Sequence, residues 1–199
     1  MNDFEFQSLL SIGIFKKTLN YIDNKKLYEE IKTHSKKVDD SFINDKNHSY
    51  FEDQTYPFGA TESEKLITAL PSEVSMAVGR EMILNDIWTL TLQYGQSVGY
   101  HSHKSNKHFY PNEYYSIAYY ANAPENSADI QFSLTVCNTI ENLITVPAEE
   151  GLLVIFNSFI PHMTNRHNNL NENRVVVSAN FSPKYPTRTE TQDWSAYAR

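Results

Sequence analysis

The 199-residue chain has one cysteine, Cys137. No disulfide can form within it, which excludes a stapled, oxidised framework. Cys137 ends Phe132-Ser-Leu-Thr-Val-Cys137, a strand-like stretch, and is expected as a small core residue. No segment approaches the roughly 20 apolar residues of a membrane-spanning helix. The N-terminus is acidic with a short apolar run, unlike a signal peptide, so a cytoplasmic location is expected. Positive charge is also short: 17 Lys and Arg stand against 24 Asp and Glu, a net charge of -7. Without a basic stripe, binding of a nucleic-acid backbone is not the expected task. Internal repeats and low-complexity tracts are absent as well.

What is abundant is aromatic and apolar material: thirteen Tyr, eleven Phe and 40% apolar residues. That suits one domain with a substantial core and a β-rich fold, where aromatics pack on a pleated surface. The domain divides into an N-terminal strand and helices (1–82), a core of strands (83–182) and a polar tail (183–199) that Trp194 and Tyr197 could dock. Ser11–Leu19 reads as the opening strand. Tyr21 to Lys37 reads as a helix, capped by Asp23 or Asn24 and striped by Leu27, Tyr28 and Ile31. Lys37 to Thr61 is polar and aperiodic and reads as a long loop. Glu62 to Gly79 is helical, with a break expected at Pro71.

From Ile83 the texture turns to strands: Ile87–Tyr94, Val98–His103, Tyr114–Ala121, Asp129–Cys137, Leu143–Val146, Gly151–Phe156, His162–Thr164 and Arg174–Phe181. Helices followed by about eight strands predict a mainly β jelly roll with bracing helices on one sheet.

The chemistry gathers in three places. His101 and His103 are two apart, so on a strand they share a face, and converging imidazoles commonly serve a metal. His162 stands near a strand rim after the apolar run Gly151-Leu-Leu-Val-Ile-Phe156. Arg174, Val176, Ser178 and Asn180 alternate with Val175, Val177, Ala179 and Phe181; both faces are apolar enough to be buried. A buried arginine needs a partner, and a ligand carboxylate matches its planar fork. An internal ion pair is the other reading. His34, His48, His108 and His167 read as surface histidines.

Taken in order, Trp88, Gly95, His101-Ser-His103, Tyr119-Tyr120, Pro124, Pro147, Gly151–Phe156, His162, Arg174 and Ser178-Ala-Asn-Phe181 resemble the 2-oxoglutarate/Fe(II)-dependent oxygenase superfamily. The likeness spans roughly 85–182 and is nearest the bacterial and phage branch with a His-x-His motif. The resemblance implies a double-stranded β-helix, cupin-like fold. It implies Fe(II) on His101 and His162, O2 as oxidant, and 2-oxoglutarate as cosubstrate with its C5 carboxylate on Arg174. Oxidative decarboxylation to succinate and CO2 would be coupled to hydroxylation of a C–H bond.

One position departs from the family. Its usual motif is His-x-Asp/Glu, and the carboxylate position here is His103. Three readings stay open: His103 as third ligand, His103 orienting a ligand or the substrate, or a carboxylate from elsewhere such as Asp129 or Glu113. We take His103 as ligand or immediate neighbour. Val176 stands where relatives often carry Ser or Thr, so Ser178 or Asn180 would assist Arg174. Tyr119 or Tyr120 would hydrogen-bond the cosubstrate; alternation does not choose, and Tyr119 is taken. The loops Lys37–Thr61 and Lys104–Asn112 would cover a small-molecule or amino-acid/peptide-type substrate. The expected partners include no nucleic acid and no membrane, and a homodimer is compatible with the chain. Two other functions compete: a three-His metalloenzyme working without 2-oxoglutarate, and a jelly-roll binding module without turnover.

Overall fold

The structure, a computed structural model, describes residues 13–35, 51–53, 56–103, 114–136 and 139–184. The expectations for His48, His108, Glu113, Cys137, Trp194, Tyr197 and the loop Lys104–Asn112 lie outside the described residues, as do the start of the first strand and most of Lys37–Thr61.

Strand β1 (Ile14–Thr18) leads into helix α1 (Asn24–Ser35). Strand β2 (Phe51–Asp53) and helix α2 (Thr61–Val78) follow. Then come β3 (Met82–Leu92), β4 (Tyr115–Asn122), β5 (Ile130–Val136), β6 (Thr139–Val146), β7 (Leu152–Asn157), β8 (His162–Thr164) and β9 (Arg174–Pro183). They form a six-stranded sheet ordered β1-β7-β4-β9-β3-β2 and a three-stranded sheet ordered β6-β5-β8. The pairings are antiparallel.

Alternation explains the two cores. On β4 and β9 one set of side chains, Ala118, Tyr120 and Val176, faces the smaller sheet's Ile130, Phe132 and Val146. The other set, Ile117, Tyr119, Val175, Val177 and Phe181, meets Leu27 and Ile31 of α1 and Leu66, Leu70 and Val74 of α2. Two sheets thus enclose one core, and helices brace the larger sheet from outside. This is the jelly-roll, double-stranded β-helix arrangement expected above. No helix among the described residues is long and apolar enough to cross a membrane.

Local chemistry sets the helix ends. Asp23 caps α1, its Oδ1 accepting the Lys26 N–H at 3.1 Å. The residue before α2, Ala60, has no side chain to cap with. The Glu30 carboxylate of α1 does that work, accepting the N–H groups of Glu62 and Ser63 at 3.1 and 2.9 Å. An anion there also suits the helix dipole.

The expected break at Pro71 does not occur; α2 runs through it. An interior proline costs about 3 kcal/mol. Leu66, Leu70 and Val74 flank it on one stripe, all fully buried, and each gains about 1.5–3 kcal/mol from burial, so packing wins. Two other expectations change. The polar loop Lys37–Thr61 contains β2, which pairs with β3. The strand Val98–His103 reduces to a bridge between His101 and His162.

Two close approaches frame the site. Gly151 has φ 79°, donates to Tyr120 O and accepts from Leu19 N; a Cβ there would meet Asn24 Nδ2 at 2.8 Å. Only glycine turns the chain into β7 this tightly. His167, expected at the surface, is fully buried. Its Nε2–H donates to Glu172 O at 2.8 Å, and its backbone pairs with Gly95 and Gln96. It pins the loop before β9, and so the approach to Arg174, to the turn after β3.

Candidate metal centre

His101 and His162 are partners across the bridge: each backbone N–H donates to the other's carbonyl, at 3.0 and 2.8 Å. That pairing stacks their rings at 4.3 Å between centroids. His103 follows two residues on, its N–H donating to Ser158 O at 2.9 Å. Its ring centroid lies 5.2 Å from that of His101 and 5.0 Å from that of His162. The ligand atoms of the three imidazoles lie within 4.8 Å of one another.

Hydrogen bonds fix which nitrogens converge. His101 Nδ1 is 2.8 Å from Gly99 O, and His162 Nδ1 is 3.0 Å from Ile160 O. A carbonyl only accepts, so both rings carry their proton on Nδ1. His103 Nδ1 lies 2.9 Å from Asn180 Oδ1 and 2.9 Å from Ser116 Oγ. Asn180 donates its Nδ2 to Asp86 Oδ1 at 2.7 Å, so its oxygen faces His103 and accepts. In their neutral forms all three rings therefore turn an unprotonated Nε2 inward. His101 Nε2 and His103 Nε2 sit 3.2 Å apart with no proton to share. Two nitrogens at metal-bond length from one ion are spaced roughly 3.0–3.4 Å, so a cation accounts for the approach and the donor set fits one. Asp129, a candidate third ligand, is engaged elsewhere: its Oδ1 accepts the Ala148 N–H at 3.0 Å.

Burial favours the neutral forms of His103 and His162. It pushes His162 down to about 3, despite the Ile160 carbonyl, and the His101 and His103 charges push the same way. Burial also lowers His103, against its bond to Asn180. Unfolded histidines titrate near 6.5. Below that value the unfolded chain binds protons that the metal-free fold resists. The stability is whole above about 6.5 and falls as pH drops toward the folded values. In chelator, the urea midpoint is expected to fall between about pH 7.5 and 5.5, above the carboxylate range; a flat midpoint across that window would contradict the lowered His103 and His162.

The same cavity, about 50 Å³, runs from the three histidines past Trp88, Leu90 and Val176 to Arg174. Arg174 is 1% exposed. Its guanidinium lies 4.9 Å from the centre of the Tyr120 ring. Arg174 Nε and Nη1, and the Tyr120 hydroxyl, have no hydrogen-bond partner among the described residues. Burial raises the Tyr120 phenol, opposed by the Arg174 charge, so it is a proton donor. A buried cation with two N–H groups unpartnered among the described residues is suited to an anion.

Other expected residues are distributed along β9. Ser178 lines the cavity beside Trp88, its cross-strand neighbour. Asn180 does not reach Arg174: it lies six positions along the strand, roughly 20 Å away, and serves His103 instead. Tyr119 points to the helices, where its hydroxyl bonds Asn24 Oδ1. Tyr120, on the opposite face, is the tyrosine whose ring packs on Arg174. Asp86, Ser116 and Ser158 were missed by sequence reasoning. The Asp86/Asn180/Ser116 row exists only through the registers β3–β9 and β4–β9, and a bulge at Asn85 shifts the first of them.

No protein-family model matches the chain, and no curated protein matches it. Solved structures do. AviO1 from Streptomyces viridochromogenes superposes with a TM-score of 0.66 at 11% identity, over 87% of this chain and 90% of that one. The viral collagen prolyl hydroxylase of Paramecium bursaria chlorella virus-1, solved with 2-oxoglutarate, gives 0.59 at 13%, over 85% and 96%. HygX from Streptomyces hygroscopicus, solved with nickel and 2-oxoglutarate, gives 0.63 at 11%, over 87% and 84%. What is shared at these identities is the fold, and it is the double-stranded β-helix of the 2-oxoglutarate/Fe(II)-dependent oxygenases.

Proposed function

We propose that the chain is an Fe(II)- and 2-oxoglutarate-dependent oxygenase that hydroxylates a small-molecule or amino-acid/peptide-type substrate. One observation carries the reading: Arg174, buried with idle Nε and Nη1 donors, closes the cavity that the three histidines open. An arginine placed so is matched to a carboxylate. The prolyl hydroxylase and HygX structures, with 2-oxoglutarate bound on the same fold, support the choice of anion.

His101, His103 and His162 would hold the metal through Nε2. Arg174 would take the distal carboxylate in its fork, and the Tyr120 hydroxyl would donate to it. Leu90, Val176 and Ile130 would line the aliphatic part and keep water from it. Fe(II), when bound with 2-oxoglutarate, supplies O2 activation by oxidative decarboxylation, with succinate and CO2 as products. The protein's share is to hold the two ends of the cosubstrate and leave the Trp88 side for the carbon to be oxidised.

A second reading has an observation of its own. Three imidazoles with no carboxylate grouped with them among the described residues also suit a cupin-like metalloenzyme that uses no 2-oxoglutarate. Formation of an anaerobic Fe(II)–2-oxoglutarate chelate, followed by succinate release in air, separates the two. Metal uptake without chelate or succinate would favour the second.

A further inference from the structure

The position that holds a carboxylate in the family's usual motif holds His103 here, and its surroundings are not neutral on that exchange. Asn180 presents Oδ1 to His103 Nδ1 at 2.9 Å. Its amide cannot turn over without breaking the 2.7 Å bond from Nδ2 to Asp86. Asp86 and Asn180 are direct partners on β3 and β9, so neither side chain has far to move. Ser116 differs: its hydroxyl reaches Asn180 Oδ1 at 2.7 Å or Ser158 Oγ at 2.8 Å and can re-aim.

A donor at position 103 is therefore satisfied by Asn180 Oδ1, whereas an acceptor there would have only the Ser116 hydroxyl as donor and would face Asn180 Oδ1 unmatched. A carboxylate there, with one oxygen on the metal, would set its second oxygen against Asn180 Oδ1 and add a negative charge near Asp86. An acceptor in this part-buried setting loses the bond that the imidazole makes to Asn180. The imidazole proton suffers none of this, and its donation to Asn180 is what turns Nε2 inward.

Resting on the metal-centre reading above, we infer that Asp86 and Asn180 are positioning residues that match the site to an imidazole at 103 and against a carboxylate. The three-His set is then a built ligand set, not a facial triad with its carboxylate lost.

The test is a four-protein cycle: the wild-type chain, His103→Glu, Asp86→Asn, and the double variant. Glu reaches as far from the backbone as Nε2 does. Co(II) affinity and the visible d–d spectrum are measured by anaerobic titration without 2-oxoglutarate, so the outcome does not depend on cosubstrate or turnover. His103→Glu is expected to lose about 10–100-fold in affinity, the scale of an outer-shell mismatch. Asp86→Asn, which lets the Asn180 amide pair in either orientation, is expected to weaken the wild-type site by a smaller factor. The same change is expected to strengthen the His103→Glu site, because Asn180 can then offer Nδ2 to the carboxylate. That reversal of sign is something a merely structural role of Asp86 would not produce.

His103→Glu binding Co(II) as tightly as wild type with Asp86 intact would overturn the inference while leaving the metal centre standing. So would an Asp86→Asn effect of one sign in both backgrounds. A wild-type chain that takes up no Co(II) would overturn the metal centre and the inference together. Should His103→Glu not fold, Asp86→Asn alone decides: an unchanged wild-type affinity and spectrum would overturn the inference.

Discussion

Arg174→Met is expected to abolish cosubstrate binding while leaving the ligand-free protein as stable as before, or more so. Arg174 Nε and Nη1 are buried without partners among the described residues. Such groups cost about 1–3 kcal/mol each in lost hydration, whereas an apolar side chain of similar length leaves nothing unpaired. With cosubstrate present the balance reverses. A hydrogen bond to a charged group is worth about 1.5–3 kcal/mol, so losing one weakens binding about 10-fold to 150-fold, and the fork provides two. Thermal unfolding of the metal-loaded protein reads both effects. Wild type should gain stability on adding 2-oxoglutarate, and Arg174→Met should gain none. A variant that is less stable without ligand, yet still responds to 2-oxoglutarate, would assign Arg174 a structural role.

The second large effect belongs to the metal. His162→Ala is expected to lose bound metal altogether, because it removes one of three converging Nε2 atoms, a greater loss than the roughly 10–100-fold that follows from disturbing an outer partner. His103→Ala should behave the same way. That comparison bears on the departure from the family motif. If His103 only oriented its neighbours, His103→Ala would keep most of its metal while His162→Ala did not. Metal content after anaerobic loading and desalting, by elemental analysis, distinguishes the cases. Full occupancy in His103→Ala would strike it from the ligand set. His162 also packs against Phe156 at 4.8 Å and Phe132 at 5.9 Å between ring centroids. A fall in stability is thus expected for His162→Ala even without metal, and metal content must be read on folded protein.

How far these features could be seen in the residues differs from one to the next. The period-2 alternation of Arg174 to Phe181 sorts pocket from core as the strand does, because both faces are buried and each side chain has one place to go. Tyr119 and Tyr120 show the limit: both are fully buried and both aromatic, so composition cannot tell which faces the helices and which packs on Arg174. Strand β4 answers that through its register with β7 and β9. Asp86 was out of reach for a related reason. Its meeting with Asn180 joins residues 94 apart and depends on a bulge at Asn85 that no local signal announces. Pro71 misled in the opposite direction: a strong local rule was overridden by the packing of Leu66, Leu70 and Val74. His167 looked like a loop histidine in an Asn-rich run, and its burial comes from pairing with Gly95 and Gln96, distant in sequence.

The claim that joins these parts is that one cavity holds a metal at its histidine end and a dicarboxylate at its arginine end. Anaerobic titration of the Fe(II)-loaded chain with 2-oxoglutarate, followed by visible absorption, addresses it most directly. The account predicts a weak charge-transfer band that saturates at one cosubstrate per chain in wild type and is missing in Arg174→Met. Iron uptake with no band at saturating 2-oxoglutarate, or a band that Arg174→Met leaves unchanged, would contradict it.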